Sequence, residues 1–431
     1  MKRILFLVAA FSIGGLCFSQ SISHHTDPVI KETNPAVSGF SAERLSKIDR
    51  VLQDYVEKKW IGGASAIVVH NGDIIYYKAF GFNDNGSKKK QQRDDIFRIA
   101  SQTKAITSVA VMMLYEQGKF LLEDPISNYI PEFKSPRVLD KFNKADTTYT
   151  TVPAKREITI HDLLTHTSGI GYAQIGSEEA NAIYYKNGIV GGIGVDKILL
   201  ADKMKKLCSI PLLHQPGEKW TYGLNTDLLG YLVEVVSGQS LADFFAKNIF
   251  DPLGMKDSYF YLPKEKYNRL ATLYTEDSTK HIKKMEEYID LNGKVYRDFP
   301  VMAGTYYSGG GGLSSTAYDY AIFMQMLLNG GVYSGKRILS RSTVKMMTEN
   351  QIGDLSLGDN KFGLGFGLYT EKGENKSPVP AGSFEWGGMF SSSYWIDPKE
   401  KIVAQLFLNQ FPNTHDEIHR KFKVLVYQAL E

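Results

Sequence analysis

The chain has 431 residues, and its 50 lysines and arginines nearly balance its 47 aspartates and glutamates. Basic residues are scattered apart from the Lys88-Lys89-Lys90 triplet, which fits a solvated turn, so no nucleic-acid partner is expected. The length allows one large domain or two ordinary ones.

The first residues have the pattern of an export signal. Lys2 and Arg3 precede an apolar stretch over residues 4–18, which is too short to span a bilayer but has the length of a signal peptide. Cleavage before Gln20 would remove residues 1–19. We therefore expect an exported protein, periplasmic or secreted, whose mature chain has no stable membrane span.

The two cysteines support the same interpretation. A lipoprotein anchor on Cys17 is the alternative to simple cleavage, and the bulky Leu16 before it disfavours that anchor. Removal of residues 1–19 would leave Cys208 as the only cysteine, so no internal disulfide is expected.

The next elements are a helix and a hairpin. A polar, proline-containing stretch over residues 20–38 predicts a mobile lead-in. Ser41 is a good N-cap, and apolar residues at helical spacing predict a helix from there to about residue 59. Strand-like runs at residues 64–69 and 74–80 flank Asn71-Gly72, a strong hairpin pattern.

The later elements place strands at both ends of the chain. Hairpins joined by short turns predict an antiparallel sheet flanked by helices, an α/β (α+β) fold with a mostly helical second region. The α/β part would take residues 39–130 and 300–431, and the helical part residues 131–299, within one domain over 39–431. The elements behind this division are helices at residues 226–237 and 316–329, strands at 365–370, 392–396 and 402–408, and an amphipathic helix with Ile418, Phe422, Leu425 and Val426.

Ser101-Gln102-Thr103-Lys104 opens a stretch over residues 101–117 whose apolar residues recur at helical spacing. A helix there would put Ser101 on the first turn and Lys104 on the same face. The positive end of the helix, together with burial, would lower the pKa of Lys104. A neutral lysine can accept a serine proton, so the spacing predicts an activated nucleophile. A capping serine beside a solvated lysine is the alternative, because short Ser-x-x-Lys matches also occur by chance.

Two later segments supply partners for this motif. Residues 217–225 contain Tyr222 and Asn225 on a loop just before a helix, and Glu385-Trp386-Gly387-Gly388-Met389 leads into a C-terminal strand. Together with Ser101 and Lys104, and in this order, they resemble the serine β-lactamase and penicillin-binding-protein superfamily. Within it the chain is most similar to the class C β-lactamase-like branch, and above all to the β-lactamase-like carboxylesterases. Further blocks extend the resemblance over residues 40–425: Leu122-Glu123-Asp124-Pro125, Leu163-Leu164-Thr165-His166-Thr167-Ser168-Gly169, Phe250-Asp251-Pro252-Leu253-Gly254-Met255 and residues 309–313.

The resemblance implies a role for each matching residue. Ser101 corresponds to the acylated nucleophile, Lys104 to the amine beside it, and Tyr222 to the tyrosine that moves a proton between serine and leaving group. The backbone N–H groups of Ser101 and Met389 would form an oxyanion hole. Trp386, Gly387, Gly388 and Asn225 would contact the substrate, the two glycines by letting it lie against the strand.

Two departures from the family pattern affect specificity. Leu224 stands at the third position of the tyrosine motif and Asn225 falls one later, which puts its substrate contact in question. Trp386 stands where β-lactamases have a lysine that pairs with the substrate carboxylate, and an indole cannot form that pair. The same Trp-Gly-Gly pattern is familiar among the esterases of the superfamily.

We therefore expect an exported serine hydrolase, a carboxylesterase with weak β-lactamase activity, that acts on a small ester or amide without a cofactor. A peptidoglycan DD-peptidase or D-amino-acid amidase is one alternative, and a non-catalytic acylatable sensor or scaffold is another. The acyl group depends on loops over residues 172–193 and 276–300, and the oligomeric state stays open.

Other motifs receive structural interpretations. The run Gly309-Gly310-Gly311-Gly312 lacks a nucleotide-binding context and predicts a close backbone approach to the active-site wall. His166 could belong to a Ser-His scheme but is interpreted as structural. His415 and His419 lie four apart on one helix, where a solvated face is favoured over a metal site, and no metal is expected.

Overall fold

The computed structural model describes residues 29–431 apart from 190, 192, 194–196 and 292. The expected signal peptide, and the expected lead-in up to residue 28, lie outside the described residues. The remainder of the lead-in packs into the fold, with a strand at Lys31–Glu32 and a 3-10 turn at Pro35–Ser38. The expectation of a mobile segment up to residue 38 is therefore wrong for this part.

One sheet forms the centre of the fold. In the part of the chain that the structure describes, its strands are β1 Lys31–Glu32, β2 Gly63–His70, β3 Asp73–Asp84, β4 Lys89–Lys90, β5 Lys361–Phe362, β6 Gly367–Leu368, β7 Phe384–Gly388, β8 Ser392–Asp397 and β9 Ile402–Phe407. In spatial order they run β1-β3-β2-β9-β8-β7-β6-β5, and β4 pairs with β3. All pairings are antiparallel, as expected, except that β1 runs parallel to β3.

Helices cover the sheet and fill the middle of the chain. In chain order they are α1 Ala42–Glu57, α2 Thr103–Glu116, α3 Ile160–Leu164, α4 Glu178–Lys186, α5 Leu200–Leu207, α6 Asn225–Ser237, α7 Leu241–Phe245, α8 Asp251–Leu253, α9 Ala317–Leu328, α10 Arg341–Met347, α11 Glu371–Glu374 and α12 Glu417–Tyr427. Among the described residues, none of them is both long enough and apolar enough to cross a membrane.

Short two-stranded ribbons complete the fold. Three of those described lie within residues 131–299, so that stretch is not purely helical. The ribbons pair Phe97–Arg98 with Ser314–Ser315, Arg137–Phe142 with Tyr149–Pro153, Tyr274–Glu276 with Ile282–Lys284, Tyr288–Asp290 with Lys294–Tyr296, and Val332–Tyr333 with Lys336–Arg337.

Helices bury the sheet on both faces, and the two ends of the chain meet in it. Strand β2 from the N-terminal part pairs with β9 from the C-terminal part, with Val68 opposite Ala404. Val68 and Ala404 share a core with α1 and α12, whereas Ile67 and Val69 share the larger core with α2, α6 and α9. This alternation follows from the two-residue period of a strand.

Helix α2 lies within the larger core and carries the Ser-x-x-Lys motif at its start. It begins at Thr103, two residues later than the sequence predicts, and a 3-10 turn over Ala100–Gln102 precedes it. Ser101 therefore lies in this turn rather than in the α-helix. Ala100 has a φ of 44°, a conformation that residues with a side chain rarely adopt, so the backbone is strained directly before Ser101.

Candidate active site

Ser101, Lys104 and Tyr222 converge on one hydroxyl oxygen. The Tyr222 hydroxyl donates to Ser101 Oγ over 2.8 Å, and Lys104 Nζ donates to the same oxygen over 3.3 Å. Lys104 Nζ also lies 4.8 Å from the centre of the Tyr222 ring. The sequence motifs that carry these residues are thus brought within hydrogen-bonding distance by the fold.

The Lys104 amine is buried and has three hydrogen-bond partners. Besides Ser101 Oγ, it donates to Tyr172 Oη over 3.2 Å and to the Gly310 carbonyl over 2.5 Å. An ammonium group has three donors, so this set of acceptors suits the charged form. Burial lowers the pKa of Lys104, but the phenols of Tyr172 and Tyr222 and the Asp227 carboxylate outweigh it and raise the pKa above its ordinary value. The expectation of a neutral lysine is therefore wrong.

Tyr172 was not singled out from the sequence. It follows the His166–Gly169 turn by three positions, and its buried hydroxyl accepts a hydrogen bond from Lys104. Burial raises the pKa of Tyr172, which keeps the phenol protonated. Tyrosine is frequent in this region and no local pattern distinguishes Tyr172 from the others, so its role is visible only in the folded protein.

The loop that carries Tyr222 is fixed by backbone contacts to the His166–Gly169 turn and its neighbours. Thr221 N–H donates to the His166 carbonyl over 2.8 Å, and Leu224 N–H donates to the Gly171 carbonyl over 3.1 Å. At Gly223 a Cβ would lie 2.0 Å from the Ile170 carbonyl oxygen, so only glycine fits there. These contacts hold the phenol at its position beside Ser101.

Asn225 and His166 hydrogen-bond to each other and do not line the cavity that contains Ser101. The fully buried Asn225 amide accepts from Ser168 Oγ and donates to His166 Nδ1 over 2.9 Å. Burial and the nearby Lys104 charge hold the pKa of His166 well below its ordinary value, so the ring is neutral. The structure therefore does not bring Asn225 to the substrate side, and His166 makes no hydrogen bond to Ser101.

Trp386 packs against Tyr222. Its ring centre lies 5.6 Å from that of Tyr222 and 5.3 Å from that of Phe362, and Gly367 on β6 leaves room beneath it. Trp386 does not line the cavity that contains Ser101. Trp386 therefore supports Tyr222 and Phe362 by ring packing.

Strand β7 approaches the turn that carries Ser101. At Gly388 a Cβ would lie 2.3 Å from the Ile99 carbonyl oxygen, so a side chain is excluded, and Gly387 pairs with Ser393 in the sheet. Met389 follows at the strand end and lines the same cavity as Ser101. The two residues thus line one cavity, and the oxyanion hole formed by their backbone N–H groups stays a prediction.

The glycine run at residues 309–312 packs closely against α2 and α6, as the sequence predicts. At Gly309 a Cβ would lie 2.6 Å from the Thr226 carbonyl oxygen, and at Gly310 it would lie 2.3 Å from Asp227 Oδ2. The Gly309 carbonyl accepts from Thr107 Oγ1 over 2.7 Å. The run thus forms the wall behind Lys104.

Ser101 opens onto a cavity of about 180 Å³ with mainly apolar walls. Both loops that the sequence marks as decisive for the substrate contribute to it. Besides Ser101, Tyr172, Tyr222 and Met389, the lining includes Gln174, Ile175, Gly191 and Ile193 from the first loop, Leu291, Gly293, Lys294 and Val295 from the second, and Asp227, Ser308, Gly310, Gly311 and Phe411.

His415 and His419 have separate partners, and only His419 lies in α12, because His415 is in the turn before that helix. The His415 ring stacks on Trp60 with centres 4.2 Å apart, and His419 Nδ1 lies 2.7 Å from Ser393 Oγ. Both rings are packed, which corrects the expectation of a solvated face. Within the described residues, no group of three or more side chains of the metal-ligating types lies close enough together to hold an ion.

Comparison with known proteins identifies the family to which the chain belongs. The family model described as Beta-lactamase matches residues 48–428. The esterase EstB of Burkholderia gladioli is 30% identical over 386 residues, which is 87% of this chain and 92% of that protein. A provisionally named D-alanyl-D-alanine carboxypeptidase of Escherichia coli strain K12 is 28% identical over 434 residues, which is 95% of this chain and 91% of that protein.

A solved structure agrees with these matches over nearly the whole length. EstCE1, described as a hydrolase with promiscuous acyltransferase activity, has a TM-score of 0.76 and 26% identity, and the match covers 89% of this chain and 99% of that one. The chain therefore belongs to the β-lactamase family, and it is a serine hydrolase with the fold of that family.

Proposed function

We propose that the protein is an exported carboxylesterase that works through an acyl-enzyme on Ser101. The observation that carries the proposal is that Ser101 Oγ receives hydrogen bonds from both Tyr222 and Lys104 at the mouth of an apolar cavity. A nucleophile, a proton-transfer group and a fixed positive charge are thus within reach of one reacting atom.

The charge on Lys104 determines how the proton moves. In the reactive form that we propose, Tyr222 is a phenolate beside the Lys104 ammonium, and its oxygen accepts the Ser101 proton as Oγ attacks the ester carbonyl carbon. The resulting phenol then gives this proton to the departing alkoxide oxygen, which leaves as the alcohol. Water then attacks the acyl carbonyl carbon while Tyr222 accepts one of its protons. Tyr222 returns this proton to Ser101 Oγ as the bond between Oγ and the acyl carbon breaks, which releases the carboxylic acid and restores the Ser101 hydroxyl.

Ester substrates are favoured over β-lactams by the residues near the nucleophile. The cavity walls are mainly apolar, and Trp386 replaces the lysine that would pair with a substrate carboxylate. The relative named esterase EstB supports the same substrate class. Weak β-lactam turnover is compatible with the shared acyl-enzyme chemistry.

The second candidate is a DD-peptidase or D-amino-acid amidase. It is favoured by the Escherichia coli relative named as a D-alanyl-D-alanine carboxypeptidase and by the proposed export through residues 1–19. The absence of the motif lysine at Trp386 counts against it. Release of D-alanine from an acylated D-alanyl-D-alanine peptide at a rate above that of ester hydrolysis would favour this candidate.

The test is a panel of nitrophenyl esters, β-lactams and D-amino-acid peptides with protein lacking residues 1–19. We expect short-chain esters to be hydrolysed fastest and Ser101→Ala to lower that rate by about 10⁴-fold or more. Ser46→Ala, which removes a hydroxyl on α1, is the matched control and should keep the wild-type rate. Undiminished ester hydrolysis by purified Ser101→Ala would refute the proposal. A fluorophosphonate or penicillin that attaches to Ser101, together with no turnover of any substrate, would instead indicate an acylatable sensor.

A further inference from the structure

The hydrogen-bond partners of the buried Lys104 ammonium are all uncharged. They are the Ser101 hydroxyl, the Tyr172 hydroxyl and the Gly310 carbonyl. A buried cation without an opposite charge nearby would lose its proton, because burial disfavours the charged form. A negative charge close to this amine is therefore needed to keep it protonated.

Asp227 supplies such a charge from the other side of Gly310. The backbone N–H of Gly310 donates to the Asp227 carboxylate, and the carbonyl of the same residue accepts from Lys104. A Cβ on Gly310 would lie 2.3 Å from Asp227 Oδ2 and 3.5 Å from Lys104 Nζ. The carboxylate oxygen and the amine nitrogen can therefore be no farther apart than the sum of these two distances, a range in which opposite charges stabilise each other.

We propose that Asp227 is a positioning residue that holds Lys104 in its charged form through Gly310, so that the amine supports proton transfer by Tyr222 instead of acting as the base. This inference deepens the proposed function and depends on it. The absence of a side chain at residue 310 is part of the arrangement, because a Cβ there would lie 2.3 Å from Asp227 Oδ2 and would displace the carboxylate.

The carboxylate is itself held in place. Ser308 Oγ donates to Asp227 Oδ1 over 2.6 Å, and the Tyr306 hydroxyl lies 3.5 Å from the same oxygen. Burial raises the pKa of Asp227, and the Ser308 hydrogen bond and the Lys104 charge oppose that rise. The carboxylate and the Lys104 ammonium thus stabilise each other's charged form.

A second buried amine shares the carboxylate. Lys203 on α5 is 5% exposed, its Nζ lies 5.2 Å from the centre of the Tyr306 ring, and it has no hydrogen-bond partner within the described part of the chain. Burial lowers the pKa of Lys203 to about 8, against the opposing effect of Asp227. Other titratable groups that act on this cluster are Tyr172, Tyr222, His166, Lys206 and Glu234.

Asp227→Asn tests the proposal, because it removes the charge while keeping the shape and the acceptor oxygen. The measurement is the rate constant for labelling of Ser101 by a fluorophosphonate as a function of pH, which requires an activated serine but no particular substrate. Loss of the charge should lower the pKa of Lys104. We therefore expect the alkaline fall in the labelling rate to move to lower pH by about one to three units.

Two further variants separate the alternatives. Ser308→Ala should move the alkaline fall in the same direction by less, and it keeps the test open if Asp227→Asn does not fold. Lys203→Met should leave the fall at its wild-type position; its disappearance would assign the titration to Lys203 and overturn the proposal. Asp319→Asn, which removes a buried carboxylate outside the cavity, is the control for folding and should leave the profile unchanged.

An unchanged profile in Asp227→Asn, or a faster reaction at neutral pH, would also overturn the proposal, because either result means that a charged Lys104 is not required. Wild-type protein that does not label at Ser101 would refute the proposed function instead. The two failures are therefore distinguishable.

Discussion

The hydroxyl oxygens of Tyr222 and Ser101 lie 2.8 Å apart although 121 positions separate the two residues in the chain. Ser101 is held by the strained turn before α2, and Tyr222 by a loop that is bonded to the His166–Gly169 turn. The proton path of the proposed mechanism therefore depends on how two separately fixed backbone segments pack together.

Tyr222→Phe should lower kcat for short-chain nitrophenyl esters by about 10²–10⁴-fold, the usual contribution of a proton-transfer group. KM should change little, because the ring remains. Tyr172→Phe is the matched comparison: it removes one of three acceptors of Lys104 but no proton carrier, so we expect a loss of about tenfold or less. Equal losses in the two variants would contradict the assignment of Tyr222 as the proton carrier.

Trp386→Lys should raise the ratio of β-lactam to ester turnover, because an ammonium group can pair with a substrate carboxylate and an indole cannot. Ester kcat should fall at the same time, since the ring that packs 5.6 Å from Tyr222 is lost. Trp386→Phe keeps an aromatic ring and should retain more of the esterase activity. Steady-state kinetics on both substrate classes check this, and a ratio that does not rise would make the account of specificity wrong.

Gly388→Ala should inactivate and destabilise the protein, because the new Cβ would lie 2.3 Å from the Ile99 carbonyl oxygen and must displace the turn that carries Ser101. The expected loss in the free energy of unfolding is about 1–3 kcal/mol, as for other overpacked sites. Gly86→Ala on the surface is the control and should stay within about 0.5 kcal/mol of wild type. Denaturant unfolding measures both, and a fully active, equally stable Gly388→Ala would be incompatible with the close approach.

Asp162→Asn should destabilise the protein at neutral pH by about 2 kcal/mol, the scale of hydrogen bonds to a charged group. Asp162 completes the capping box at the N-terminus of α3, where its side chain accepts from the N–H of the N-cap residue Thr159, and it pairs with Arg156. Helix α3 leads directly into the His166–Gly169 turn. Burial raises the pKa of Asp162, but the hydrogen bonds from Arg156 and Thr159 outweigh it, so the pKa lies below its ordinary value of 3.8.

The sign of the pH dependence follows from that direction. A carboxyl whose pKa is lowered on folding contributes stability above its unfolded-state pKa, and this contribution is lost as the pH falls through the folded-state pKa. The stability difference between wild type and Asp162→Asn should therefore be full above about pH 4 and shrink below it. Unfolding free energies measured from pH 7 to pH 2 check this, and a difference that is constant over that range would exclude the linkage.

Local sequence patterns were enough to predict the main strands and helices and the order of the motifs. The strand-like runs of β2 and β9, the Asn71-Gly72 turn and the apolar spacing of α2 are such patterns, so these predicted strands and helices agree with the structure to within a few residues. The Ser-x-x-Lys motif and the family resemblance likewise needed no coordinates, and the family is confirmed.

The electrostatics of the site, in contrast, follow from contacts that no local sequence pattern contains. The charge on Lys104 depends on Tyr172, Gly310 and Asp227, which come from three distant segments and meet the amine only after folding. Asn225 turns towards His166, and Trp386 towards Tyr222, for the same reason. A sequence pattern reports the spacing of residues along one element, whereas the state of a buried charge is set by every group packed around it.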